Sequence, residues 1–417
     1  MKSLIKKHIN TNRTPVSDAS NSLVEDVAKE LNAEILKAQS GSEVLTWVIP
    51  EYFNCKKAVL QRLNGEVVVD FNNNPLYLWT NSKSFQGNIS RQDLESHIMT
   101  DETRPDAIPY HYKQGFQEGA ENWGFCIPYN IYKTMQDSEY YVHIDAELNN
   151  SKEMYTGIAT VGSGGDTYIF AAHTCHPAQA TDGLTNVALL MELFKKLSTM
   201  ELKNTYKFVF GPEYYAAAVF LDRLDDNELK KIKGAFFLDI IGSNTKLAFS
   251  SSFQGDSYVD KVTEHIFKYK VKDYHKYGYR DLLGNDEMFY NGPYFNIPTV
   301  TLAQESPDKY HTSLDNYENI DFKVIDLYYE LLLNIINIFE TNFTPVLKYK
   351  GPLFLSKYNL YYDRIACENA YKIIETIQIL SDGRHTCFDL AEKSNADYDF
   401  VLDFYNQLLH HNLIRKG

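Results

Sequence analysis

In residues 168–186, YIFAAHTCHPAQATDGLTN, a β-rich apolar run ends in His173, a second imidazole follows at His176, and Asp182 stands just before the next helical pattern. Imidazole and carboxylate side chains delivered together at the carboxyl end of a strand are the donors of a zinc site. Three further segments place a donor of the same kind at or just beyond the end of an apolar run: GPEYY with Glu213, FFLDIIGS with Asp239, and YHTSLDN with His311. Any one of these segments says little, whereas their joint occurrence in this order points to metal chemistry.

Each residue also has an ordinary structural explanation. His173 and His176 can cap a strand or bond within a core, but the pair followed by Asp182 favours a metal, with Pro177 stiffening the turn between them. Cys175 reads as a small buried thiol, with a soft metal ligand as the alternative. Asp182 suits a helix N-cap, a role compatible with a carboxylate that bridges two cations. Glu213 complements the positive end of the following helix, or acts as a general base or metal ligand. Asp239 closes an apolar strand, where an ionised carboxylate needs a partner or a metal to offset its desolvation. His311 lies in a polar loop, where Thr312 and Asp315 are placed to orient it. Asp286 and Glu287 are either a solvated loop pair or the groups that bind a substrate's ammonium.

Four stretches must position these residues. Residues 1–54 open with Leu23, Val24, Val27, Leu31 and Ile35 at helical spacing, which predicts an amphipathic helix over 21–37. Residues 55–149 change to short Val-, Tyr- and Phe-rich segments with turn signals at Asn64-Gly65 and Asn74-Pro75, a β-rich insertion. Residues 150–345 alternate strand and helix patterns, which implies an α/β domain with a mixed, largely parallel sheet flanked by helices and its ligands at the carboxyl ends of the strands. Residues 346–417 give three helices and a short apolar tail, arranged like a winged helix-turn-helix.

Bulk properties narrow the function. The 417-residue chain carries a formal charge of −14, which opposes nucleic acid as a main partner, and no apolar run approaches the ~20 residues that span a bilayer. Its start has basic residues but no apolar core of a signal peptide, and its five cysteines form no CxxC pair, so a reducing cytoplasm is expected. The helix that would read DNA carries Asp397, Asp399 and Asp403, which opposes a regulator. Its apolar Val401, Leu402, Phe404, Leu408 and Leu409 form a packing face that Tyr398 or Tyr405 is expected to extend into a subunit interface.

The order of these landmarks resembles the M28 zinc aminopeptidases. AAHTCHPAQATDGLTN, NWGFC at 122–126, Gly284-Asn285-Asp286-Glu287 and YHTSLDN at 310–316 more closely resemble the bacterial aminopeptidase-like proteins of the DUF4910 and DUF2172 families, often encoded beside surface-polysaccharide genes. The likeness covers nearly the whole chain. It implies a zinc-peptidase fold with one or two zinc ions at His173 and/or His176, Asp182, Glu213, Asp239 and His311, and Glu213 as base. The chain departs from M28 in two places: Pro212 replaces the first of two adjacent glutamates, and His-x-x-His replaces His-x-Asp. Either one zinc is bound, or Glu287 or another carboxylate supplies the missing role. The expected activity is hydrolysis of a peptide or amide bond beside a free amine in a small peptide or aminoacyl substrate. A zinc aminoacyl cyclase and a degenerate, non-catalytic zinc- or ligand-binding protein are the alternatives. Partners are expected to exclude nucleic acid and membranes, and to include a second copy held through the insertion or the C-terminal module.

Overall fold

A computed structural model describes residues 1–112 and 122–417. Of the expected β-rich stretch, residues 113–121 lie outside the described residues. The chain divides into two compact units, one of residues 1–260 and 273–329 and one of residues 261–272 and 330–417.

The first unit is built on an eight-stranded mixed sheet flanked by helices. Its strands run in the order Glu34–Gln39, Glu153–Val161, Thr205–Gly211, Thr167–His173, Ile232–Asp239, Thr299–Gln304, Leu247–Ser250 and Tyr274–Tyr277. The four middle strands, from Thr205–Gly211 to Thr299–Gln304, are mutually parallel. Helices cover both faces of such strands, so they must be apolar throughout rather than alternating. Accordingly every residue of Thr167–His173 is buried, as is nearly all of the helix Leu184–Leu197 that follows it. Register sets His173 beside Gly211 and Asp239 beside Ala303, so the donors leave the sheet at a common edge. Strand Thr167–His173 is also where the connections diverge, one neighbour following it directly in sequence and the other lying on its opposite side. Clefts for ligands open at such switch points.

The amphipathic helix is shorter than expected. It runs over Asp18–Leu31, begins with Ser17 accepting from the Ser20 N–H, and stops at Asn32, which has φ of 52°. Asn tolerates this left-handed geometry and ends helices by it. Residues 34–39, of which 34–37 were expected as the last helical turn, instead pair antiparallel with Glu153–Val161 at the sheet edge. A sheet with an open edge overrides local spacing by offering ladder bonds to Ile35 and its neighbours.

The β-rich stretch forms its own four-stranded antiparallel sheet, in the order Val67–Asp70, Tyr52–Arg62, Glu139–Asn149, Phe85–Ser90. Gly65, at φ of 91°, makes the turn after Tyr52–Arg62. Phe53, Leu60, Trp123, Phe125, Tyr140, Val142 and Ile144 fill a separate core there.

In the second unit, helices Glu368–Leu380, Cys387–Ser394 and Tyr398–His410 are accompanied by the antiparallel pair Pro345–Leu347 and Ile414–Lys416. Tyr398 or Tyr405 was expected to extend into a subunit interface, but both are buried within this unit. The Tyr398 hydroxyl lies 3.0 Å from Thr341 Oγ1 and the Tyr405 hydroxyl 2.5 Å from Ser381 Oγ. A buried phenol needs such a partner, and these rings have found theirs at home.

The NWGFC block has a steric reason for its glycine. A Cβ on Gly124 would stand 2.4 and 2.5 Å from atoms of the Trp79 ring and 2.7 Å from the His97 carbonyl oxygen. Gly124→Ala is therefore expected to destabilise the first unit by about 1–3 kcal/mol, the usual effect of overpacking, measured as a lower urea midpoint.

Candidate metal centre

The strand ends converge as the sequence suggested. His173 Nε2 lies 3.1 Å from Asp239 Oδ1 and 3.2 Å from Asp182 Oδ1. On the other side of the same carboxylate, Asp182 Oδ2 lies 3.0 Å from His311 Nε2. His176 Nδ1 is 3.7 Å from Asp182 Oδ1, and its Nε2 is 3.6 Å from Glu213 Oε2. Two three-donor groups result, His173–Asp182–Asp239 and His176–Asp182–His311, and Asp182 belongs to both. Cys175 forms a third group with the two histidines, its Sγ 3.9 Å from His173 Nδ1 and 3.6 Å from His176 Nδ1.

These spacings fit a metal. Two donors each ~2.0–2.1 Å from one ion at a tetrahedral angle stand ~3.3 Å apart. Asp182 Oδ2 and His311 Nε2 are shielded from solvent and close together, yet neither has a hydrogen-bond partner among the described residues. Buried polar atoms are ordinarily satisfied, so a pair that approaches without hydrogen-bond geometry marks a place where both can face a cation. The nitrogen and carboxylate donor set suits zinc.

Electrostatics agree. Burial opposes a charge on His173, but Asp239 and Asp182 outweigh it and hold its pKa well above the usual range. Burial pushes His176 down to about 3, which keeps it neutral and able to offer a lone pair. The Glu213 carboxyl is raised well above the ordinary carboxylate range by burial, against the attraction of His173 and with smaller repulsions from Asp182, Asp286 and Asp239. Burial also lifts Asp286 to about 7, and a neighbouring cation would relieve both groups.

Backbone geometry is strained here. His176, Ala178, Tyr214, Ile240 and His311 all have positive φ, at 82°, 49°, 64°, 47° and 55°. Such residues cost of order 1–3 kcal/mol each and persist only where their surroundings enforce them. Gly183, at φ of 102°, admits no side chain, since a Cβ would meet the His173 carbonyl oxygen at 2.7 Å and its ring at 2.9 Å.

The supporting residues depart from the sequence-based expectation in several places. Asp315 does not orient His311. Its carboxylate accepts the N–H groups of Ala180, Thr181 and Asp182 and the Thr181 hydroxyl, at 2.9–3.2 Å, and so fixes the loop that presents Asp182. Thr312 bonds to the Lys309 carbonyl rather than to the imidazole. Asp286 and Glu287 are no solvated pair, since both are buried. Glu287 accepts from the Asn285 N–H and from Arg280, while Asn285 Nδ2 donates to Asp239 Oδ2 at 3.0 Å. Glu287 is thereby occupied in orienting Asp239. Asp286 accepts the Tyr214 N–H beside Glu213.

Two supporting residues were not read from the sequence. Arg13 is fully buried and donates to the carbonyls of Thr174, at 3.2 Å, and Gln179, at 2.8 Å, pinning both ends of the loop that carries His176. An arginine near a chain start reads as solvated, and no local signal marks it. Tyr110 comes from the β-rich stretch and sets its ring edge against both His176 and His311, with centroids 5.5 and 5.3 Å apart.

Comparison with known proteins bears on this geometry. Residues 2–342 match the family model described as a domain of unknown function, DUF4910. The chain belongs to that family. A Clostridium acetobutylicum relative, named provisionally as a polysaccharide biosynthesis protein with an aminopeptidase-like domain, is 28% identical over 89% of this chain and 86% of its own length. A crystal structure of a provisionally named peptidase from C. acetobutylicum has a TM-score of 0.89 at 25% identity, covering 100% of this chain and 96% of its own. A zinc aminopeptidase from Bacillus subtilis shares the fold, with a TM-score of 0.58 at 12% identity over 81% of this chain and 94% of its own. The fold is thus shared with this zinc aminopeptidase and with a peptidase M28 precursor from Shewanella amazonensis.

Asp315→Ala is expected to free the donors of the Asp182 loop and weaken metal binding about 10–100-fold, as loss of a partner behind a ligand does, measured by competition with a chromogenic chelator.

Proposed function

We propose that this protein is a zinc-dependent hydrolase of the aminopeptidase type, cleaving a peptide or amide bond next to a free amine. The observation that carries this reading is Asp182, which belongs to two groups of donors, with Oδ1 3.2 Å from His173 Nε2 and Oδ2 3.0 Å from His311 Nε2. In this reading His173, Asp182 and Asp239 would hold one metal ion, and His176, Asp182 and His311 form the place for a second. Zinc, when bound, supplies Lewis-acid polarisation of the scissile carbonyl.

The chain's own residues do the remaining work. Glu213 sits at the rim of the cluster, 3.6 Å from His176, where a bound cation would favour the ionised carboxylate that a general base needs. It accepts the proton of the attacking water and delivers it to the departing amine. Asp286, beside Glu213, offers the carboxyl group that would receive a substrate's ammonium. Pro212, in the place where M28 enzymes carry another glutamate, leaves Glu213 as base, so the metal relies on the remaining donors. A space of about 580 Å³ adjoins His311, between Thr103–Arg104 and the loop with Pro307, Asp308 and Tyr310, and accommodates substrate beyond the reacting bond.

A reducing compartment accords with five free cysteines. Among the described residues no helix is long and apolar enough to cross a membrane.

Glu213→Gln tests the assignment because it keeps shape and removes the proton acceptor. Turnover of an aminoacyl-anilide panel is expected to fall ~10²–10⁴-fold, while elemental analysis shows zinc unchanged. Loss of zinc together with activity would make Glu213 a ligand instead, and unchanged turnover would remove it from the mechanism.

A further inference from the structure

The loop that carries His311 follows strand Thr299–Gln304 and has no regular structure of its own until the short helical turn at Tyr317–Asn319. Its conformation is nonetheless demanding, because His311 holds a φ of 55°. Much of what enforces it comes from the β-rich stretch some two hundred residues earlier. Arg104 Nη1 donates to the carbonyls of Asp308 and Tyr310, each at 2.9 Å, and Asp101 steadies the guanidinium through its Nε at 2.6 Å. The Tyr110 N–H donates to the His311 carbonyl at 2.9 Å. Ile108 and Ser313 exchange two bonds, from the Ser313 N–H to the Ile108 carbonyl and from the Ile108 N–H to Ser313 Oγ, both 2.9 Å. Pro109 and Thr312 form an isolated antiparallel bridge between them.

Side chains continue the contact. The buried Tyr110 ring stands nearly perpendicular to the imidazoles of both His176 and His311, at 82° and 85°. Tyr310 stacks on His311 with centroids 3.8 Å apart, and Tyr112 closes on it at 4.9 Å. His311 Nε2 is consequently aimed at Asp182 by groups that are not metal donors. Loss of a group that orients a ligand typically weakens metal binding about 10–100-fold.

We propose that residues 101–112 of the β-rich insertion are a working part of the metal centre, with Arg104 and Tyr110 as positioning residues that hold His311 in line with Asp182. The inference rests on the reading of this centre as a zinc site. It makes the insertion a component of the site rather than an appendage, and it assigns the two residues to one ligand of the set.

The test uses the full chain and zinc alone, titrated against a chromogenic chelator, with the visible spectrum of the cobalt-substituted protein as a second readout. Arg104→Ala and Tyr110→Leu are each expected to weaken zinc binding about tenfold or more and to alter the cobalt spectrum. Tyr110→Phe keeps the ring and is expected to retain both. In a His311→Ala background, Arg104→Ala is expected to add nothing, because its target is gone. Arg62→Ala, which breaks the pairing with Asp137 elsewhere in the insertion, controls for general loosening and should leave both readouts unchanged. Should Arg104→Ala fail to fold, Tyr110→Leu and Tyr110→Phe decide the matter. Wild-type affinity and spectrum in Tyr110→Leu, or an equal loss from Arg104→Ala with and without His311, overturns the proposal while leaving the zinc site intact. Wild-type protein that binds no zinc overturns both.

Discussion

Negative charge gathered where water cannot reach it governs the organisation of this molecule. Asp182, Glu213, Asp239, Asp286 and Asp315 are all buried around two imidazoles at the ends of parallel strands. Isolated carboxylates in such a place are costly, so each must be protonated, hydrogen-bonded or matched by a cation. The chain uses every remedy. Asp315 is clothed in backbone N–H groups, Asp239 accepts from Ile240 and Asn285, and burial drives Glu213 and Asp286 toward their neutral forms. Asp182, set between the imidazoles of His173 and His311, is where a metal has most to offer.

The same constraint explains the scaffold. Four parallel strands buried on both faces can deliver several donors to one point because their register is fixed by ladder bonds rather than by side chains. The strained residues lie just past the strand ends, at His176, Tyr214 and Ile240, where the chain must turn sharply to present a side chain instead of continuing. Arg13 and Asp315 then brace the longest of these turns from below, one by gripping carbonyls and the other by gripping N–H groups.

Legibility in the sequence followed the range of the interaction. His173, Asp182 and Asp239 could be read because a donor at the end of an apolar run is a local pattern, and the alternating segments fixed the parallel sheet around them. Which partner each supporting group would find was not local. Asp315 lies four residues from His311 yet serves a loop more than 130 residues away, and Glu287 was drawn to Arg280 and Asn285 rather than to solvent. Helix spacing past Asn32 misled because the open edge of the sheet, invisible in one dimension, claimed Ile35 and its neighbours as a strand. Tyr398 and Tyr405 pack inward for the same reason: which face of an aromatic-rich helix is free depends on its neighbours.

The grip of Arg13 has a bearing on how the centre comes to exist. Its partners Thr174 and Gln179 lie 161 and 166 residues further along the chain, across the whole β-rich insertion. Contacts of such sequence separation form slowly, because a long loop must close before any bond rewards it. A guanidinium waiting for carbonyls that distant cannot be satisfied until the central sheet has assembled around it. Order in the donor loop therefore depends on contacts between the first and the middle parts of the chain. The centre doubles as a checkpoint, complete only in a chain that has folded correctly from one end of this unit to the other.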